Sequence, residues 1–389
     1  MHFTDPHSAN AEGMNALRNA NYPLAVHCFK AAINLDHLAP PLWLNLANAY
    51  RHMEDDKCER DALEQALNID RTNFTAWLRK AELHERLDER RQAIEAWSGV
   101  LEMAQQLEPV PADLAAILDH GRKYVNAQGV ALTTRIEAAI GSDITKLGPR
   151  DHRRMRAFID RAAGKRRIYQ NECAGLYYPF LPADEFFDDH HFPWFDDLTI
   201  HTDAIRAELL QLLKAPGEAL RPYVKMDKGT PENKWSDLDH SLDWGACFLW
   251  EYGEPNAAVL DRCPATRAAL DEVPRSHVPG RAPSAFFSLL KPHTHIPPHT
   301  GVTNTRAIIH LPLIVPPNCG FRVGGEIREW VEGRPFAFDD TIEHEAWNHS
   351  DELRAVLICD VWNPHLSEAE QAMIARYFEA TDATDLPQH

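Results

Sequence analysis

No stretch of this chain approaches the roughly 20 uninterrupted apolar residues of a membrane-spanning helix. The start, MHFTDPHSANAEG, lacks both a basic cluster and an apolar run, so no secretory signal is expected and a cytoplasmic location is. Cysteine pairs are missing too. The seven cysteines stand singly at 28, 58, 173, 247, 263, 319 and 359, with no CxxC spacing. That argues against a disulfide framework and a cysteine zinc site, and fits reduced thiols. Positive charge is scarce: 40 Lys and Arg face 58 Asp and Glu, for a net charge of −18. General binding to nucleic acid or to an anionic membrane surface is therefore not expected. One local exception is DHRRMRAFIDRAAGKRR at 151–167. What remains is the profile of a soluble globular chain, 44% apolar and 25% charged, whose 389 residues suffice for two or three domains.

The first hundred residues repeat. Trp43 recurs as Trp77, Ala47 as Ala81, Ala32 as Ala66, and Leu35-Asp36 as Ile69-Asp70, always 34 positions apart. This period, with small residues where helices would cross, resembles tetratricopeptide repeats. Each unit would be two antiparallel helices that bury their faces only against neighbours. Residues 8–140 are read as an α-solenoid, an array of the kind that holds a peptide or protein partner. DITKLGPRDHRR breaks the helical periodicity, and 141–169 is read as a linker.

From residue 170 to 382 the text changes. Aromatics and prolines crowd LYYPFLPADEFFDDHHFPWFDD, and a helix is expected at 201–214. Short apolar runs follow, separated by turn residues: ACFLWEY, SAFFSLL, TRAIIHLPLIV, FRVGGEIREW, PFAFDD and RAVLICDVW. Such a series predicts a β-sandwich or barrel. A last helix is expected near 367–379, capped by Ser367 with Glu368 and Glu370 behind it.

Alternation along a strand puts Arg306, Ile308 and His310 on one face of TRAIIHLPL, and Arg354, Val356 and Ile358 on one face of RAVLICDVW. Both strands read as buried. A buried arginine requires an anion, supplied by an internal acid such as Asp339, Asp340, Glu343 or Asp360, or by a bound carboxylate ligand. Histidines are dense here. His299 precedes a Thr-Gly turn and His344 follows FDD. Two imidazoles from facing strand ends, with carboxylates around them, suit Fe(II). Yet Gly301 stands where a metal-binding carboxylate would be expected two residues after His299. His293, His295 and His349 are read as non-ligands, and Trp194, Trp235, Trp244 and Trp250 as core.

SAFFSLLKPHTHIPPHTGVTNTRAIIHLPLIVP, followed by FDDTIEHEAWNHSDELRAVLICDVWNP, closely resembles the aspartyl/asparaginyl β-hydroxylase family. A looser likeness extends the match to about 170–365. The resemblance implies an α+β chain, with a tetratricopeptide-type solenoid followed by a double-stranded β-helix (a jelly-roll or cupin-like catalytic domain). It implies Fe(II) as cofactor and 2-oxoglutarate as co-substrate, with O2 consumed, succinate and CO2 released and an aliphatic carbon hydroxylated. By the same resemblance His299 and His344 would hold the iron. Arg354 and Ser288 would bind the distal carboxylate of 2-oxoglutarate, and His310 would contact the co-substrate. Asp340 would hold a water in place of the family's absent metal carboxylate, since Gly301 is what the family has. Ile308 departs from the pattern, because the better-known members carry arginine there. Arg306, on the same face, is the candidate to compensate in binding the co-substrate. The expected substrate is the β-carbon of Asp or Asn in a peptide or protein. The alternatives are a halogenase or small-molecule hydroxylase using the same two-histidine site, and a non-enzymatic repeat scaffold with a degenerate barrel.

Overall fold

The computed structural model describes residues 3–105 and 111–382, and its chain divides into two compact units, Met1–Gly164 and Lys165–His389. Three helix pairs open the first unit: α1 (Pro6–Arg18) with α2 (Tyr22–Leu35), α3 (Pro40–His52) with α4 (Asp56–Ile69), and α5 (Phe74–Arg86) with α6 (Arg90–Ala104). The 34-residue period is visible at atomic detail. Trp43 Nε1 donates to the His37 carbonyl at 2.9 Å, and Trp77 Nε1 to the Arg71 carbonyl at 2.8 Å. The turn within each pair uses a left-handed residue at the same position: Ala20, Glu54 and Asp88 have φ of 54°, 54° and 53°. Ala32, Ala47, Ala66 and Ala81 are buried, which lets the helices approach closely. Asp5, Asn21, Asp55 and Asn73 cap their helices by accepting backbone N–H bonds.

Two differences from the sequence reading follow. Helix α7 (Ala112–Ile144) is one 33-residue helix, and the stretch read as a linker contains a further helix, α8 (Pro149–Ala162). Gly148 and Pro149 looked like breakers, but proline at the first helical position starts a helix. The basic segment lies largely on α8, where Arg154, Phe158 and Arg161 are exposed. Residues 106–110 of the expected solenoid lie outside the described residues.

In the second unit, helices α9 (Phe195–Ile200) and α10 (Thr202–Lys214) precede the strands β1 (Leu220–Pro222), β2 (Trp244–Glu251) and β3 (Glu254–Pro255). Helices α11 (Ala257–Leu260) and α12 (Pro264–Glu272) come next, then β4 (Ala285–Leu290), β5 (Thr294–His299), β6 (Arg306–Ile314), β7 (Cys319–Val323), β8 (Glu326–Arg328), β9 (Phe336–Phe338), β10 (His344–Asn348) and β11 (Arg354–Trp362). Helix α13 (Glu368–Asp382) closes the unit with a reciprocal cap. Ser367 N–H donates to Glu370 Oε2 at 2.8 Å, and Glu370 N–H to Ser367 Oγ at 3.3 Å. All strand pairing is antiparallel. The larger sheet runs β1-β2-β4-β11-β6-β9 with β3 on β2, and the smaller runs β5-β10-β7-β8. Counted from β4, the eight strands divide four to each sheet and cross between sheets at every step except the β7–β8 hairpin, which is the winding of a double-stranded β-helix.

Period-two alternation on the larger sheet decides what faces the site. Phe287, Leu289, Ala307, Ile309, Leu311, Ala355 and Leu357 pack outward with Ile205, Leu209 and Leu212 of α10. Their neighbours Leu290, Val356, Ile308 and Ile358 face inward, in one core with Ile296, Phe321 and Ala346 of the smaller sheet. With both faces covered, these strands read as nearly continuous apolar runs. Any polar residue in an inward register, such as Ser288, His310 or Arg354, is thereby carried between the sheets.

Candidate active site

His299 ends β5, His344 begins β10, and the two are directly paired across the antiparallel ladder. Residues so paired lie close enough for their side chains to meet, and the ring centroids are 4.0 Å apart. The register shifts immediately after His344, a bulge of the kind that re-aims side chains beside active sites. The same backbone device orients both rings. His299 Nδ1 donates to the Pro297 carbonyl at 2.8 Å, and His344 Nδ1 to the Ile342 carbonyl at 3.0 Å. A carbonyl only accepts, so each Nδ1 carries the proton and each Nε2 keeps its lone pair. Burial holds His299 at a pKa of about 4. Burial, reinforced by His299, holds His344 well below the usual histidine value. Both imidazoles are therefore neutral, the form that ligates a metal.

Gly301 and Asp340 meet beside this pair. The Gly301 N–H donates to the Asp340 carbonyl at 2.6 Å, and a Cβ on Gly301 would fall 2.1 Å from Asp340 Oδ2. The absent side chain is thus a steric necessity, because the Asp340 carboxylate already fills that space. Asp340 Oδ1 has no partner. Burial lifts its pKa to about 7 against the pull of Arg306. Its neighbour Asp339 plays a different part. It accepts from Thr341 N at 3.0 Å, Thr341 Oγ1 at 2.6 Å and Asn171 Nδ2 at 2.7 Å, and so holds the turn. Among the described residues, no group of three or more His, Cys, Asp or Glu could hold a metal ion.

Arg354, 2% exposed, pairs with no carboxylate among the described residues. Its Nη1 donates to Ser288 Oγ at 3.3 Å, its guanidinium lies 5.1 Å from the Trp330 ring, and its Nε is unsatisfied. Burial lowers its pKa to about 10. Ser288 Oγ also accepts from Trp244 Nε1 at 3.2 Å. His310 stacks on Trp330, centroids 5.4 Å apart at 9°. His310 Nδ1 and Trp330 Nε1 are both buried without partners. Three buried polar groups left open around one inner face make it a candidate site for a polar ligand, because such atoms are costly to leave unpaired. Sequence reasoning passed over Trp330. Its only signal was an aromatic at the end of FRVGGEIREW, and its role depends on stacking against His310.

Arg306 does not join this group. It shares the inward register of Ile308 and His310, but its Nη1 is bonded to Asp360 Oδ2 at 2.6 Å. The proposed compensation for Ile308 is therefore corrected, because this guanidinium is already paired with an internal acid. His293 and His295 bond Asp351 and Glu345 at the surface, away from the His299–His344 pair. Trp235 touches His299 edge-on at 5.0 Å, so one of the tryptophans read as core lines the site.

The fold and this constellation define a jelly-roll domain with a paired-histidine site between its sheets. Residues 199–364 match the family described as Aspartyl/Asparaginyl beta-hydroxylase. The chain is 32% identical over 219 residues to the ornithine lipid ester-linked acyl 2-hydroxylase of Rhizobium tropici, covering 54% of this chain and 74% of that protein. It is 37% identical over 172 residues to the mouse aspartyl/asparaginyl beta-hydroxylase, covering 42% of this chain but 23% of that one. The chain belongs to the aspartyl/asparaginyl β-hydroxylase family. An Arabidopsis OM64 TPR domain is 21% identical and covers 31% of this chain and 95% of that chain, with a TM-score of 0.27.

Proposed function

We propose that this hydroxylase depends on Fe(II) and 2-oxoglutarate and oxidises an unactivated aliphatic carbon. The observation that carries the reading is Arg354, a buried guanidinium that no acid neutralises. Such a charge is stable only with an anion to come, and a planar fork suits a carboxylate. Ser288 is placed to share that carboxylate. His310 Nδ1 and Trp330 Nε1 supply further open hydrogen-bonding positions on the same inner face. His299 and His344 fit a metal that accepts imidazole, their Nε2 atoms left free by the backbone bonds at Nδ1. Asp340 adds a carboxylate beside them.

When bound, iron with 2-oxoglutarate and O2 supplies the oxidation: one oxygen atom enters a C–H bond as hydroxyl, the other enters succinate, and CO2 leaves. The chain's residues position these groups and exclude water. The aromatic cage of Trp330, Phe321, Phe336 and Phe338 around His310 dries the co-substrate end. Halogenation is disfavoured by Asp340, because its carboxyl group fills the space beside Gly301. A degenerate scaffold is disfavoured by the three open buried groups, which a chain without a ligand has no reason to keep. The names of the relatives divide between a lipid acyl chain and aspartyl or asparaginyl residues. An aliphatic C–H bond is common to both. The helical repeats are assigned to a peptide or protein partner.

The test is anaerobic titration of the full chain with Fe(II) and 2-oxoglutarate. A visible charge-transfer band should form, and His344→Ala should lose both it and succinate release. A wild-type chain that forms no band overturns the proposal, and full turnover by His344→Ala removes that residue as a ligand.

A further inference from the structure

A cavity of about 800 Å³ opens over Asp340 in the second unit, and its lining is not suited to an acidic side chain. Ile308 and Ile358 lie with Asp340 among its lining, and Phe248 and Phe286 stack with centroids 5.0 Å apart along one wall. At its mouth Tyr252, Val302 and Tyr377 are more than half exposed. Exposed apolar groups gathered at the mouth of a cavity mark a binding surface for an apolar ligand.

The charges of the lining point the same way. Each arginine on it faces a carboxylate: Arg221 with Glu251, Arg281 with Asp382 at 2.6 Å, and Arg306 with Asp360 at 2.6 Å. The unpaired oxygen among these groups is an acid, Asp340 Oδ1. An acidic side chain brought in here would find each of these guanidiniums already paired with an acid. Lys225, on the same lining, is exposed to solvent.

From this we infer that the group hydroxylated here is an uncharged aliphatic chain, the acyl chain of a fatty acid or lipid, and not an aspartate side chain. The chain extends across Phe248, Phe286 and Ile308 toward Asp340, while its polar end stays at the mouth on the side of Lys225. The inference rests on the hydroxylase reading above. Its step is the one already balanced there: an acyl C–H bond breaks, a C–O bond forms, and 2-oxoglutarate and O2 are consumed in equal amounts.

The experiment uses the full chain with three readouts. The charge-transfer band with Fe(II) and 2-oxoglutarate, recorded without any substrate, tests the hydroxylase reading alone. Binding of palmitate and of dipalmitoyl phosphatidylglycerol in detergent micelles is then followed by tryptophan fluorescence in metal-free protein. Finally, succinate release and a +16 Da product are measured with these probes and with Asp- and Asn-containing dodecapeptides. The expected result is acyl binding and at least tenfold stimulation by one acyl probe, with +16 Da on its chain and no response to the peptides. Stimulation by palmitate identifies the free acid, and stimulation by the phospholipid identifies the esterified chain. Ile308→Arg should weaken acyl binding at least tenfold. Tyr377→Asp, on the exposed mouth where folding is not at stake, should weaken it several-fold. A band without acyl binding, a +16 Da product on an Asp or Asn peptide, or unchanged acyl binding in both variants overturns the inference while leaving the hydroxylase reading standing.

Discussion

Arg306 and Arg354 point inward from the same sheet, at opposite ends of the β6–β11 pairing, and they are held in opposite electrostatic conditions. Arg306 is bonded to Asp360, so that end of the sheet is neutral before anything binds. Arg354 has a serine hydroxyl, the face of a tryptophan and no acid. Burial raises the Asp360 pKa even with Arg306 against it, and burial lowers that of Arg354 to about 10. Desolvation is the leading cause in both. The difference lies in whether the fold or a ligand provides the counter-charge. One end is finished as structure, and the other has no counter-charge among the described residues.

The largest effect should come from Arg354→Met. Removing the partner of a buried carboxylate costs about 2–5 kcal/mol in binding, so 2-oxoglutarate binding measured by titration calorimetry should weaken roughly 30-fold or more. Without ligand the same variant should be as stable as wild type or more so, because it deletes an unpaired buried charge. A ligand-free protein destabilised by several kcal/mol would make Arg354 a structural residue and collapse the comparison.

Arg306→Met should do the reverse. It strands Asp360, whose side chain is 3% exposed, and breaking such a pair costs about 3–5 kcal/mol. Chemical denaturation should show that loss, while the 2-oxoglutarate affinity of the folded protein stays within about threefold of wild type, a threefold change being under 1 kcal/mol. A large affinity loss at unchanged stability would restore Arg306 to the co-substrate site.

Gly301→Ala lies between these two in kind. The new Cβ must displace the Asp340 carboxylate or the β5 end that carries His299. Overpacking of this sort costs about 1–3 kcal/mol, and disturbing a residue that supports metal ligands typically costs 10–100-fold in affinity or activity. Fe(II) affinity should therefore fall more than stability does. Wild-type iron affinity would show that Asp340 is free to move and is not fixed against Gly301.

What could be read from the sequence was local or carried by a specific string of letters. The 34-residue period placed the repeats, and period-two alternation put Arg306 with His310 on one face of TRAIIHLPL and Arg354 with Val356 and Ile358 on one face of RAVLICDVW. The strands that hold the two histidines, β5 and β10, lie outside the six apolar runs. THIPPH carries two prolines and HEAWN three polar residues beside its aromatic, so neither has strand-like text. The partner of Arg306 was one of several acids offered by the sequence, because Asp360 is 54 residues away and only the pairing register brings them together. Helix α8 was hidden by the Gly-Pro that starts it. Trp330 was hidden because its contacts, His310, Phe321, Phe336 and Arg354, come from four separate strands.

Trp330 gives the smallest and sharpest test. Its ring packs against His310 at 5.4 Å and the Arg354 guanidinium at 5.1 Å, and its Nε1 is a buried donor without an acceptor. Packing and hydrogen bonding can be separated with one substitution. Trp330→Phe keeps an aromatic face for His310 and Arg354 but removes the N–H. If that N–H serves the co-substrate, its loss should cost about 1 kcal/mol of binding, roughly a fivefold rise in the 2-oxoglutarate requirement, with ligand-free stability little changed because no bond is broken in the unliganded protein. If the N–H has no ligand to meet, deleting a buried unsatisfied donor should stabilise the protein and leave the 2-oxoglutarate requirement untouched. Denaturation and calorimetry on this one variant therefore show whether the open end of the sheet, where Arg354 stands without an acid, extends as far as the indole.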